Sequence, residues 1–274
     1  MINGLFPSGV VSAARTDDVP LDTLFEDELA VIRHAVPRRR AEYATVRWVA
    51  RKCLAELGHR PVPLLAAGPG GGAPCWPNGY VGALTHCAGY RAAAVARVSV
   101  VDGVGIDAEP AHPLPGLVLS EITSSVERDH LNRFALQYPS LPWDRLLFSA
   151  KESYYKVWFP AMGCWLGFDD VEVRFLPLES QTSGGFTVSP CSRGSRRTRR
   201  NDDFDAVATG FPALPGRWSL AVTSDGQVGE NTVLVTGITA GLGVLASVRR
   251  PLRRSEPPPG HFDRPSRESG SHLH

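Results

Sequence analysis

Three short stretches of the chain carry side chains whose types and spacing could do chemistry. In GVGIDAEP, Gly103–Pro110, the acids Asp107 and Glu109 are two residues apart in a run that reads as a β-strand, with Ile106 and Ala108 on its other side. Residues so spaced share one face of a strand about 6.6 Å apart, near enough for both carboxylates to converge on a single ion. Without that ion, carboxylates about 4 Å apart would repel by ~4 kcal/mol at an effective dielectric of about 20. The pair is therefore expected to hold a cation or to keep one acid protonated. Magnesium suits it, because it takes one or two carboxylates and completes its shell with water and phosphate. A solvated edge strand with the same two acids would look no different.

The second stretch is FSAKESYYKVWFP, Phe148–Pro160, where Glu152 and Lys156 are four apart on a predicted helix and so share a face. By itself such a pair is a surface salt bridge contributing about 0.2–0.5 kcal/mol. Beside the acidic strand it gains two uses: Glu152 could complete a metal site or accept a proton, and Lys156 could neutralise a phosphate. The third is ALTHCAGY, Ala83–Tyr90, where His86 ends a strand at a turn, a position that serves structure as readily as function. Arg40, Arg47 and Arg51, with Arg39 alongside, recur along another predicted helix. That stripe is a solvated face, unless a polyanion must be gripped by guanidinium forks.

The elements that must position these groups follow from periodicity. Apolar spacing predicts helices over 24–36 and 38–57, the second stopped by Gly58, and a third over 143–159 after Pro142 at its first turn. A Gly- and Pro-rich loop fills 65–77. Strands are expected at 80–85, 91–100, 104–109, 171–175, 186–189, 218–223 and 232–238. The class is α+β. Residues 1–110 and 111–246 are expected to form two halves, each mixing helices with short strands. The Arg- and Pro-rich stretch 247–274 reads as a disordered tail, and Arg193–Arg200 as a basic loop.

Composition narrows the class of function. The 29 Lys and Arg against 28 Asp and Glu leave a net charge of +1, so no bulk field draws the chain to nucleic acid or to an anionic membrane. The five cysteines are scattered and include no C-x-x-C pair, which argues against a disulfide framework or a zinc site. The N-terminus lacks a signal-peptide pattern, and the uncharged stretch Asn231–Val248 is too short and polar to span a bilayer. A cytoplasmic setting is the expectation.

Five blocks in order, RRRAEYATVRWVARKCLAELG, APCWPNGYVGALTHCAGYRAAAVA, VGIDAEP, WDRLLFSAKESYYKVWFP and WLGFDDVEV, resemble the Sfp-type phosphopantetheinyl transferases, especially the bacterial branch related to the enterobactin synthase transferase. The resemblance runs from Arg38 to Phe175. It implies two similar, pseudo-symmetric α/β halves with coenzyme A in the cleft between them. It also implies transfer of the 4′-phosphopantetheine arm from coenzyme A to a serine of an apo acyl or peptidyl carrier protein, leaving 3′,5′-ADP. Carriers of nonribosomal peptide, polyketide and fatty acid synthesis are all candidates, and a single-chain, two-half form implies a monomer. By the same resemblance Asp107 and Glu109 bind magnesium with the pyrophosphate. Glu152 is a third ligand, the base for the carrier serine, or both. Lys156 holds the phosphate under attack with Lys151 as helper, and Arg39, Arg47 and His86 contact the phosphates at the adenosine end. Two departures stand out: AAGPGGGAP, Ala66–Pro74, lacks the lysine common in relatives, and Ala83 replaces a usual serine. Both point to weaker coenzyme A binding rather than inactivity. A metal-dependent phosphodiesterase, or a non-catalytic protein that grips coenzyme A or a carrier, are the competing readings.

Overall fold

Twenty residues from Pro37 to Glu56 form the long helix α2, with proline at the position where a missing N–H costs nothing and Gly58, at φ +84°, just past its end. It follows the short helix α1, Glu26–Ile32, which is briefer than the sequence pattern predicts. The computed structural model describes residues 2, 4–67, 72–191, 211–222 and 232–245. The expected basic loop Arg193–Arg200, the expected tail 247–274 and part of the loop Ala66–Pro74 lie outside them.

Strands β1 (Val10–Arg15), β2 (Tyr80–Cys87) and β3 (Tyr90–Arg97) form an antiparallel sheet in the order β1-β3-β2. Strand β3 is rich in alanine and buried on both faces. Ala93 and Val95 pack with Val49, Ala50, Cys53 and Leu54 of α2, while Ala92, Ala94 and Ala96 face the opposite way. What they meet is β4 (Val101–Pro110), through Val104, Ile106 and Ala108.

Strand β4 belongs to a second antiparallel sheet, in the order β4-β8-β7-β6-β5, with β5 (Val171–Ser180), β6 (Ser183–Pro190), β7 (Leu214–Val222) and β8 (Thr232–Gly241). The sequence division after residue 110 places β4 with the first half, yet its backbone pairs with β8, from Val101 opposite Gly241 to Pro110 opposite Val233. Beyond Pro110 the chain leaves β4, the edge strand of this sheet, along the surface. Between the sheets' strands run α3 (Gly116–Ile122), α4 (Ser125–Gln137) and α5 (Trp143–Met162). Neither α3, α4 nor β1 is predicted by periodicity. Helix α4 buries only Glu127 and Leu131, too thin a stripe to register, although Ser124 and Glu127 form the S-x-x-E capping box that signals a helix start. Helix α5 does match, with Pro142 as its N-cap and Gly163, at φ +68°, ending it.

The pair β4–β8 is thus a middle layer, with the first sheet on one face and α5 on the other. On the α5 side, Leu146, Leu147, Ala150, Tyr154 and Trp158 enter a core with Trp218, Phe186 and Leu234. Helix and strand approach so closely that a Cβ on Gly105 would lie 1.9 Å from the Ser153 carbonyl oxygen. One on Gly103 would lie 2.8 Å from Val157. Ser149 and Ser153 bond the hydroxyl of Thr236 at 2.8 and 2.6 Å, locking the helix onto β8 as well.

One buried arrangement occurs twice. Glu28 accepts from Phe25 N at the start of α1, from Leu64 N, and from Arg51 on α2 at 2.8 Å. Glu127 accepts from Ser124 N at the start of α4, from Val173 N, and from Lys151 on α5 at 2.9 Å. In each case a helix-capping glutamate ties a short helix, a long helix and an extended segment together.

The contact at Gly105 is testable. Gly105→Ala should lower stability by about 1–3 kcal/mol or more, because the new methyl meets backbone and the helix must move. Gly116→Ala, with nothing within 4 Å of its Cβ position, should be neutral. Urea denaturation of both variants checks this, and equal stabilities would refute the close packing.

Candidate active site

Asp107 and Glu109 occupy the face of β4 that looks toward α5, as the strand period predicts, but both are buried. Each already meets a cation from that helix. Lys156 Nζ donates to Asp107 Oδ1 at 2.8 Å and to the Ile106 carbonyl at 2.8 Å. Arg145 Nη1 donates to Glu109 Oε2 at 3.1 Å. Asp107 Oδ1 also accepts from Thr85 Oγ1 at 3.2 Å, and that hydroxyl in turn accepts from Ala108 N at 2.9 Å. The first sheet thereby reaches across to the acidic strand, one residue before His86. Asp107 Oδ2 is buried without a hydrogen-bond partner, and a carboxylate oxygen so placed carries a desolvation cost until a donor or cation meets it.

Glu152 stands one turn before Lys156 on α5 and is half-buried. It lines a small crevice with Tyr155, Leu166, Gly167 and Phe168. Burial, followed by the charge of Glu152, pushes the Tyr155 hydroxyl up from its ordinary value. Among the described residues no three His, Cys, Asp or Glu side chains are gathered into a ready cage for a metal ion. What the fold brings together is Asp107 with Lys156 and Glu109 with Arg145, not the three carboxylates at once.

His86 projects from β2 toward the start of α2. Arg39 Nη1 donates to His86 Nε2 at 2.7 Å, and His86 Nδ1 lies 3.4 Å from Glu42 Oε2. Arg39 is 53% exposed, so it can turn to an anion in solution. Arg47 is buried instead: it stacks 3.2 Å over the Tyr43 ring and donates to the Leu64 carbonyl at 3.0 Å. Burial holds its guanidinium below the usual value. The stripe of arginines expected on this helix is not a solvated face, since Arg51 is buried with Glu28. A cleft of about 340 Å³ opens on the Lys156 side of the acidic strand, lined by Trp76, Gly82, Asp102, Gly103, Lys156 and Pro160 among others; His86 and the arginines of α2 do not line it.

Lys151 does not stand where the resemblance places it. The residue is 2% exposed, and Nζ donates to the carbonyls of Ile122 and Phe168, both at 2.7 Å, as well as to Glu127. An ammonium has three protons, and all are used inside the second core. Burial lowers its pKa, and Glu127 opposes that shift. Lys151 and Lys156 are five residues apart, about 140° around the helix, so one helix points them to different sides. Sequence reasoning also passed over Arg145, although it stands in the block WDRLLFSAKESYYKVWFP, and Glu127, which the capping box could have flagged.

Two family models match the chain: the 4′-phosphopantetheinyl transferase N-terminal domain over residues 26–96, and the 4′-phosphopantetheinyl transferase superfamily over 103–204. The 4′-phosphopantetheinyl transferase Svp of Streptomyces mobaraensis is 49% identical over 192 residues, covering 69% of this chain and 75% of that protein. The 4′-phosphopantetheinyl transferase PptT of Mycobacterium tuberculosis is 42% identical over 205 residues, covering 74% and 84%. Enterobactin synthase component D of Salmonella typhi is more distant, 34% identical over 145 residues, or 53% and 58%.

The two lysines should separate in experiment. Lys151→Met leaves Glu127 buried without its cation and should cost about 3–5 kcal/mol, with much of the loss recovered in a Lys151→Met, Glu127→Leu double variant. Lys156→Met also leaves the buried Asp107 without its cation, but the Lys156 side chain is 25% exposed, so water can take its place and the loss should be smaller. Chemical denaturation measures both, and a Lys151 variant of unchanged stability would return that residue to the phosphate site.

Proposed function

Because the chain belongs to the 4′-phosphopantetheinyl transferase superfamily and moves phosphopantetheine from coenzyme A to a carrier-protein serine, we propose that Asp107, Glu109, Glu152 and Lys156 carry the chemistry. The observation that supports this most is the Lys156–Asp107 ion pair beside an open cleft, with the second oxygen of Asp107 unsatisfied. A buried carboxylate oxygen without a partner fits a divalent cation, so Asp107, with Glu109 beside it, would hold magnesium. Such an ion would neutralise charge on the coenzyme's pyrophosphate as the bond to the leaving group breaks.

The remaining work falls to the chain's own groups. Lys156 exchanges its carboxylate for a phosphate oxygen, at little cost because its ammonium already lies at the cleft. Glu152 takes the proton of the carrier serine, whose oxygen attacks the β-phosphorus while the P–O bond to 3′,5′-ADP breaks. Most of the acceleration comes from positioning and charge stabilisation, as phosphoryl transfer requires. Arg39 and His86 grip the phosphate of the adenosine end, and Arg47, stacked on Tyr43, shapes that end from beneath rather than reaching out. The acceptors are apo acyl and peptidyl carrier domains. The setting is the cytoplasm, with which five free cysteines agree. Among the described residues no helix is long and apolar enough to cross a membrane.

Incubation of apo peptidyl, polyketide and fatty-acid carriers with the protein, coenzyme A and magnesium should add one phosphopantetheine mass, and EDTA should abolish the gain. Glu152→Gln should lower kcat about 10²–10⁴-fold, the usual worth of a general base. Lys156→Met should lower it about 10²–10³-fold. Intact-mass spectrometry reads every case, and near-normal transfer by Asp107→Ala would refute the metal assignment.

A further inference from the structure

Both acids of the D-x-E pair are held by cations of α5, but the two cations differ. Lys156 is partly exposed at the cleft and can change partner. Arg145 is buried, and each of its three nitrogens is engaged: Nη1 with Glu109 Oε2 at 3.1 Å, Nε with the His112 carbonyl at 2.9 Å, and Nη2 with the Pro113 carbonyl at 3.2 Å. Its neighbour Asp144 accepts from Leu114 N at 2.6 Å, so the first turn of α5 clamps the whole chain that leaves β4. We propose that Arg145 is a positioning residue for the transfer reaction, fixing the carboxylate of Glu109 beside Asp107 and the segment 110–114 behind it.

A guanidinium is suited to this because its rigid fork meets a carboxylate and two carbonyls in one plane, which an ammonium on a flexible stem does not reproduce. Three of the five N–H groups of Arg145 are engaged and the residue is buried away from the cleft lining, so it acts through Glu109. The inference rests on the reading that Asp107 and Glu109 serve a metal. Removing a buried partner of a metal-binding carboxylate costs about 10–100-fold in metal affinity.

Calorimetric titration of coenzyme A into the full chain, once with magnesium and once with EDTA, tests the assignment. Arg145→Gln should lose about 10–100-fold of the affinity that magnesium adds, while affinity in EDTA stays unchanged. Glu109→Gln should do the same, and the double variant should be no worse than either single one, since both act through one carboxylate. Arg145→Lys should show a smaller loss and, should Arg145→Gln not fold, decides the matter alone. A folded Arg145 variant that keeps the full magnesium gain, or losses that add in the double variant, would overturn the proposal. A wild-type protein that gains nothing from magnesium would overturn the metal reading itself, and this inference with it, a result recognisable before any variant is made.

Discussion

Helix α5 lies against strand β4 with no room for a side chain at residue 105, and the rest of the site depends on that contact. The Ser153 carbonyl occupies the space a Cβ would need. Only at this separation does Lys156 span to Asp107 and Arg145 to Glu109. The serines at 149 and 153 sharpen the constraint: small enough to let the helix down, they bond Thr236 on the neighbouring strand and leave none of their own polar atoms to water. The acidic strand and the basic helix are thus set by the packing of glycine and serine, residues with no chemistry of their own in the reaction.

Beneath the site, two further charge pairs hold the body of the fold. Glu28 with Arg51 and Glu127 with Lys151 are each buried, and each glutamate also satisfies backbone N–H groups of a helix start and of an extended segment. Ionic groups inside a protein are tolerated when their remaining hydrogen-bond capacity is filled, and here it is. Helix α5 consequently carries both kinds of charge. Lys151 turns inward to Glu127, and Lys156, five residues on, turns to the cleft. The same sequence block supplies one ammonium enclosed in the core and another at the cleft.

The first sheet contributes less charge and packs directly against the acidic strand. The alanines of β3 let β4 settle on one face while α2 covers the other. Thr85 then bridges the two sheets through Asp107 and the Ala108 amide, and His86, one residue on, faces the arginines of α2. A single strand end therefore connects the acidic strand with the basic helix start.

Much of this was legible in the residues alone. The two-residue spacing of Asp107 and Glu109, the four-residue spacing of Glu152 and Lys156, the long helices α2 and α5 and seven of the eight strands among the described residues follow from periods of 2 and 3.6 that local sterics impose. The order of blocks from Arg38 onward identified the family. Tertiary structure decided the rest, because it concerns contacts between segments far apart in the chain. That β4 joins the second sheet depends on hydrogen bonds to β8, about 130 residues later, which no local pattern encodes. Helix α4 escaped notice because only two of its residues are buried. Lys151 and Lys156 look alike as members of one motif, and Arg145 looks like any exposed arginine. Their separate fates depend on which way each leaves the helix and on what distant backbone waits there, a carbonyl cage for one, an acidic strand for the others.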